Sequence, residues 1–206
     1  MDMIKETKIP DTGWTQHYDV VKELGDCHAS VGNFREAQRC YEKAASLSPD
    51  EAGPYIGIGV IALQEGKTAD AEVAFKVAKR LDPQSSKAYC GLAMIRQNKG
   101  QWSESFELYL KCLELDSDNL TALLGLFQMS CQMGSFSKVI HYLEVYLDMH
   151  PGDASVMFCL ATLHFKDGRV HEAREILQSI LAQDANNTDV ADLLEEVEHT
   201  LAQTVV

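Results

Sequence analysis

Six cysteines, seven histidines and 31 Asp and Glu residues are what this 206-residue chain has available for chemistry. Thiolates and imidazoles hold zinc, a thiol beside an imidazole makes a nucleophile, and paired carboxylates exchange protons. None of these residues stands in a pattern that does any of the three. The sequence has no CxxC, no HExxH, no GxSxG and no glycine-rich loop that would cradle a phosphate, and its carboxylates are isolated. Cys90, Cys131 and Cys159 come nearest to a ligand set. Zinc needs its sulphurs at about 2.3 Å, and thiols on successive helices about a helix diameter apart do not converge on one ion. They read better as small apolar residues. His28 and His164 fall at equivalent points of a repeating pattern, on a helix face turned toward a neighbour, and read as packed histidines. No enzyme activity, metal or cofactor is expected. Thiols without a disulfide framework place the chain in a reducing, cytoplasmic compartment.

The pattern that positions these residues has a period of 34. Shifting the stretch 52–85 by that amount lands Gly66 on Gly32, Gly100, Gly134 and Gly168, with no insertion or deletion. The same shift takes Ile58 to Leu24, Leu92, Leu126, Leu160 and Leu194. Within the stretch, Tyr55, Ile58, Gly59 and Ala62 recur every three or four residues, which predicts an amphipathic helix. Gly66 permits the positive φ that ends it. Ala71, Phe75, Ala78 and Leu81 predict the buried stripe of a second helix, and Pro83 closes the unit. Gly59 and Ala71 let the two helices approach, with Phe75 filling the space beside them. Two helices cannot bury both flanks alone, so each repeat needs neighbours.

On these residues the chain resembles the tetratricopeptide repeat family over about nine-tenths of its length. The expected architecture is therefore an all-α solenoid: a right-handed superhelix of five helix-turn-helix repeats with a concave groove, closed by a capping helix. The repeats are 18–51, 52–85, 86–119, 120–153 and 154–187, with the cap helix at 188–203, which gives eleven helices in a single domain spanning 18–203. Residues 1–17 form an arm broken by Pro10 and Gly13, whose Trp14 either covers the first repeat or inserts into a groove. Repeat four departs most: Phe127, Val139 and Tyr146 stand where its neighbours carry small residues. Its two helices are expected to sit further apart than those of repeat two.

The formal charge of −13 argues against nucleic acid or an anionic membrane as partner. The imbalance is concentrated in residues 112–206, which hold 4 Lys and Arg against 15 Asp and Glu. The longest apolar run, residues 56–63, is too short to span a bilayer, so no membrane insertion is expected.

Counting from the first residue of a repeat, places 4, 7, 8 and 11 point at the partner helix. Places 2, 5, 9 and 12 share the opposite face, and the resemblance implies that this second set lines the groove. In repeat two it includes Ile56, Val60 and Leu63, and in repeat three Lys87, Cys90 and Met94. Repeat four contributes Leu124, Gln128 and Cys131, and repeat five Phe158, Thr162 and Phe165. The cap helix adds an acidic rim of Asp189, Asp192 and Glu196. A helix face that meets only water is normally polar, so the aliphatic and aromatic members imply a covering partner or tight superhelical curvature. Gly57, Gly91 and Gly125 recur beside them, each costing roughly 1 kcal/mol against alanine inside a helix. Either close packing of successive first helices or room for a ligand backbone accounts for them.

Family members that grip the acidic tails of chaperones use a two-carboxylate clamp. It needs Lys and Asn at places 5 and 9 of one repeat, Asn at 6 of the next, then Lys and Arg at 2 and 6. Here Lys22 and Lys87 match, but Asp26, Gly57 and Gly91 do not. The resemblance thus implies a non-catalytic protein-interaction module holding an apolar or amphipathic peptide with basic residues near the cap. The alternatives are a self-assembling scaffold, joined through the arm or the solenoid ends, and a substrate-recruiting subunit of an enzyme complex.

Overall fold

A computed structural model describes residues 17–204, all of whose regular elements are α-helices. The arm with Trp14 lies outside the described residues. The described residues form two compact bodies, divided after residue 95 inside one helix. The first body holds α1 (Tyr18–Ser30), α2 (Phe34–Leu47), α3 (Ala52–Gln64), α4 (Thr68–Leu81) and most of α5 (Ser86–Asn98). The second holds the last turn of α5, then α6 (Trp102–Leu115), α7 (Leu120–Met133), α8 (Ser137–Met149), α9 (Ala154–Lys166), α10 (Val170–Gln183) and α11 (Thr188–Thr204).

The turn inside each repeat follows from its glycine. The five registered glycines all have positive φ, between 68° and 82°. At Gly66 the next residue donates its N–H back to the Ala62 carbonyl (2.8 Å), the six-residue closure of a Schellman motif. Asn33 to His28, Gln101 to Arg96 and Arg169 to His164 repeat that bond. Repeat four is different: α7 runs one residue longer than α1, α3, α5 and α9, and Gly134 donates to Ser130 (2.8 Å), a five-residue closure. The connections between repeats carry a second device at place 34. Ser85, Asn119, Asp153 and Asn187 each accept from a backbone N–H of the following first turn, satisfying a donor that the helix leaves open.

Small residues set the helix spacing. Ala37, Ala71 and Ala173, at place 20, are fully buried, and α1–α2, α3–α4 and α9–α10 pack closely. In repeat four Val139 and Tyr146 take the buried places, and α7 and α8 lie in much looser backbone contact. Bulk at the contact accounts for this looser packing.

The aromatic residue at place 24 ties consecutive repeats together. The Phe75 ring is wholly buried between α3 and α5, and a Cβ on Gly59 would stand 2.9 Å from it. A Cβ on Gly91 would overlap the same ring outright. Tyr41 is seated in the same way between Gly25 and Gly57, and Tyr109 lies against Gly125. This corrects the reading of the three recurrent glycines. They neither reserve room for a ligand nor serve contacts between first helices alone; each makes the seat for a ring from the preceding repeat. Where the ring gives way to Leu143 at place 24, the next place 6 is no longer glycine but Cys159.

Candidate functional site

Three rungs of this ring ladder differ in one atom, and the difference reaches the face formed by places 2, 5, 9 and 12. In rung one the Tyr41 hydroxyl donates to Asp26 (2.7 Å), whose other oxygen holds the Lys22 ammonium at 2.7 Å. Burial, and then the Asp26 carboxylate, push the Tyr41 phenol far above the usual range. In rung three the Tyr109 hydroxyl donates to Gln97 (2.7 Å), and Gln97 donates to Gln128 (2.8 Å). Rung two has Phe75 and no hydroxyl. Its equivalents of Asp26, Gln97 and Gln128 are Val60, Leu63 and Met94.

In the first body this face therefore changes from polar to apolar. Val60 and Met94 are 41% and 36% exposed, Ile56 and Leu63 half-buried, and Lys87 exposed. Cys90, expected on the same face, is buried: Gly91 brings α5 against the Phe75 ring and draws its neighbour in. The partial match to a carboxylate clamp is also disarmed, because Lys22 is already engaged by Asp26.

In the second body Leu124 is half-buried, while Gln128 and Cys131 are exposed. Phe158 and Phe165 pack against the cluster of Ala161, Ala173, Leu177, Ile180, Val190 and Val197, yet both rings keep part of their surface open. Thr162, between them, turns its hydroxyl back onto the Phe158 carbonyl (2.8 Å). Asp189, Asp192 and Glu196 are exposed on α11, and Asp192 and Glu196 line an open depression of about 460 Å³ with Glu195 and His199.

The residues that suggested chemistry are elsewhere occupied. Cys159 is buried, and desolvation, with Cys131 and Asp153 nearby, pushes its thiol up to about 11, so it is not a thiolate at neutral pH. His164 is buried beside Arg169 with its Nδ1 unpartnered, and burial, then that cation, lowers its pKa. Among the described residues no three His, Cys, Asp or Glu side chains gather as a metal site would require. None of the described helices is long and apolar enough to cross a membrane.

Two features lay outside the sequence reading. The tyrosine hydroxyl networks were signalled by Tyr, Phe, Tyr at place 24, with Asp26, Gln97 and Gln128 near the two tyrosines and Val60, Leu63 and Met94 near the phenylalanine. The caps were signalled by Ser, Asn, Asp and Asn at place 34.

Comparison with known proteins agrees with this architecture. Three family models described as tetratricopeptide repeat match residues 23–86, 86–119 and 132–197. Curated protein sequences give no match. Among solved structures, Pseudomonas aeruginosa pilF superposes with a TM-score of 0.70 at 17% identity, over 94% of each chain. YrrB, described as a repeat protein of this kind with an unusual peptide-binding site, superposes at 0.66 and 15% identity, over 87% of this chain and 93% of its own. Yeast Tom70 gives 0.66 at 19% identity, with 93% of this chain matching 41% of that one. At these identities the likeness is one of fold.

Proposed function

Since this chain belongs to the tetratricopeptide repeat family, a family of protein-interaction modules, we propose that it is a non-catalytic adaptor that holds an amphipathic segment of another protein. The observation that carries this reading is the half-open state of Phe158 and Phe165. Both rings rest on the α9–α11 cluster, neither is fully buried, and α11 carries the exposed Asp189, Asp192 and Glu196. Apolar side chains of a ligand cover the rings, and Lys or Arg at one end of it faces Asp189, Asp192 and Glu196. Each well-buried anchor contributes roughly 1.5–3 kcal/mol, while the rim charges govern approach and orientation. The description of YrrB as peptide-binding supports the choice of ligand class. The reading also takes the protein to be cytoplasmic, and self-assembly as a scaffold is the competing use of the same fold.

The test is selection of a displayed random-peptide library on the wild-type chain, followed by affinity measurements on the enriched peptides. The reading expects apolar peptides with a basic end, weakened by Phe158→Ala with Phe165→Ala. A library that yields no binder sinks it. Light scattering across a concentration series separates it from the scaffold, which grows with concentration.

A further inference from the structure

The apolar stretch of the first body has an identifiable cause and, with it, a definable occupant. Rungs two and three share one construction: a ring at place 24 lying against the glycine at place 6 of the next repeat. In rung three, Gln97 at place 12 accepts from the ring's hydroxyl and donates to Gln128 at place 9 of the following repeat. The same two places in rung two hold Leu63 and Met94, one turn beyond Gly59 and Gly91, which sandwich Phe75. Val60 completes the patch where rung one has Asp26. Phe75 is itself buried, so the missing hydroxyl is expressed at the surface as three aliphatic side chains, two of them exposed. Seven residues before Met94 on the same face of α5 stands Lys87, about 10 Å away by the helical rise. Lys87 is exposed and has no ion-pair partner among the described residues, whereas Lys22 is held by Asp26.

We infer that Val60, Leu63 and Met94 form a docking patch for one large aliphatic side chain of a partner protein's segment, with a carboxylate of that segment about 10 Å away meeting Lys87. The inference rests on the peptide-binding reading above and adds to it a docking position that lies within the first body alone. An aliphatic anchor removes the exposed surface of Val60 and Met94 from water, and no polar group of the patch is left without a partner, since rung two has none. A carboxylate satisfies Lys87, which has no ion-pair partner among the described residues. The same segment could not seat its anchor on rung one or rung three, where it would strip water from Asp26 or the glutamines.

Rung three supplies its own control. The variant Leu63→Gln, Phe75→Tyr, Met94→Gln installs in rung two the trio that already packs in rung three, so it should keep its helicity and melting temperature. The probes are the peptides enriched on the wild-type chain, measured against wild type, this triple variant and Lys87→Gln. The expected result is a family of peptides sharing an aliphatic residue and an acidic one, bound about tenfold or more weakly by the triple variant. Lys87→Gln should cost the acidic peptides a few-fold and leave their amide counterparts unchanged. If the triple variant does not fold, Met94→Gln alone replaces it, because that side chain is already exposed. Peptides bound equally well by the variants overturn the patch and leave the adaptor standing. No enriched peptide overturns both. Wild-type self-association that the triple variant abolishes assigns the patch to a second copy and also overturns the inference.

Discussion

The ring of Tyr41 fills the space that a side chain on Gly57 would need. These residues belong to consecutive repeats, so the contact is an interface between repeats and not part of either one's own core. The same relationship holds between Phe75 and Gly91, and its size matching can be tested. Gly91→Cys should destabilise the protein by about 1–3 kcal/mol, the usual cost of overpacking. Combining it with Phe75→Leu reproduces the Leu and Cys found at the next-but-one interface. The double variant should recover part of the loss, with a coupling of about 0.5–3 kcal/mol. Urea unfolding of the two single variants and the double variant measures it; strictly additive effects would show that ring and glycine are not matched.

The turn glycines give a separate prediction. A Cβ on Gly66 meets nothing within 4 Å, so only its φ of 75° opposes substitution. Gly66→Ala should lose about 1 kcal/mol, because the left-handed conformation costs more than the ~0.4–1 kcal/mol gained from a stiffer unfolded chain. Gly66→Asn should be milder. A higher melting temperature for the alanine variant would contradict the assignment.

His164 makes stability depend on pH. Burial and Arg169 lower its pKa, against the smaller opposing pull of Glu144, Glu172 and Asp167. The native chain therefore keeps this ring neutral where the unfolded chain, titrating near about 6.5, takes up a proton. The unfolded state binds more protons, so the His164 contribution is intact above that value and is lost as pH falls toward the lowered native pKa. Replacing His164 with Leu should flatten this part of the profile in unfolding measurements taken from neutral to mildly acidic pH. An unchanged slope would mean that the ring is not held neutral.

Thiol chemistry should sort by burial. Cys27 and Cys131 are exposed, whereas Cys40, Cys90, Cys112 and Cys159 are buried. In the native protein, iodoacetamide should label the first two rapidly and Cys159 least readily, since its thiol is pushed up to about 11. Mass spectrometry of a time course reads the order, and early labelling of Cys159 would refute the burial argument.

The rim and the rings should respond differently to salt. Asp189→Asn with Asp192→Asn should slow association of a basic peptide at low ionic strength and matter little at high. Phe158→Ala with Phe165→Ala should weaken binding at every salt concentration, because apolar burial is not screened. Stopped-flow rates across a salt series separate the two. Equal salt dependence in both variants would place the ligand elsewhere.

What the sequence disclosed was whatever repeats at one period. Gly66, Ala71 and Phe75 could each be assigned a turn, a close approach and a filled space from a single repeat, and all three hold those places. What escaped it depends on two repeats at once. Gly57 looks like a weak point in α3 until Tyr41 of the preceding repeat is set against it. Asp26 looked like a missing clamp residue, whereas it is the acceptor for Tyr41 and Lys22. Cys90 has the spacing of an exposed residue but is drawn inward with Gly91. Repeat four was legible in kind, since its bulky residues do loosen the helix pair. Its altered turn at Gly134 depends on where α7 stops, which periodicity does not specify.

The ring ladder also imposes a grammar on the order of repeats. Repeat two carries both halves of the match, Gly57 for the ring before it and Phe75 for the glycine after it, so a tandem duplicate of residues 52–85 would seat on itself. Repeat five, with Cys159 where that glycine belongs, could not directly follow Tyr109 without a collision. Duplication is thus open to a repeat whose places 6 and 24 match, as in repeat two or in repeat five with Cys159 and Leu177, and closed to one that would set a ring against Cys159.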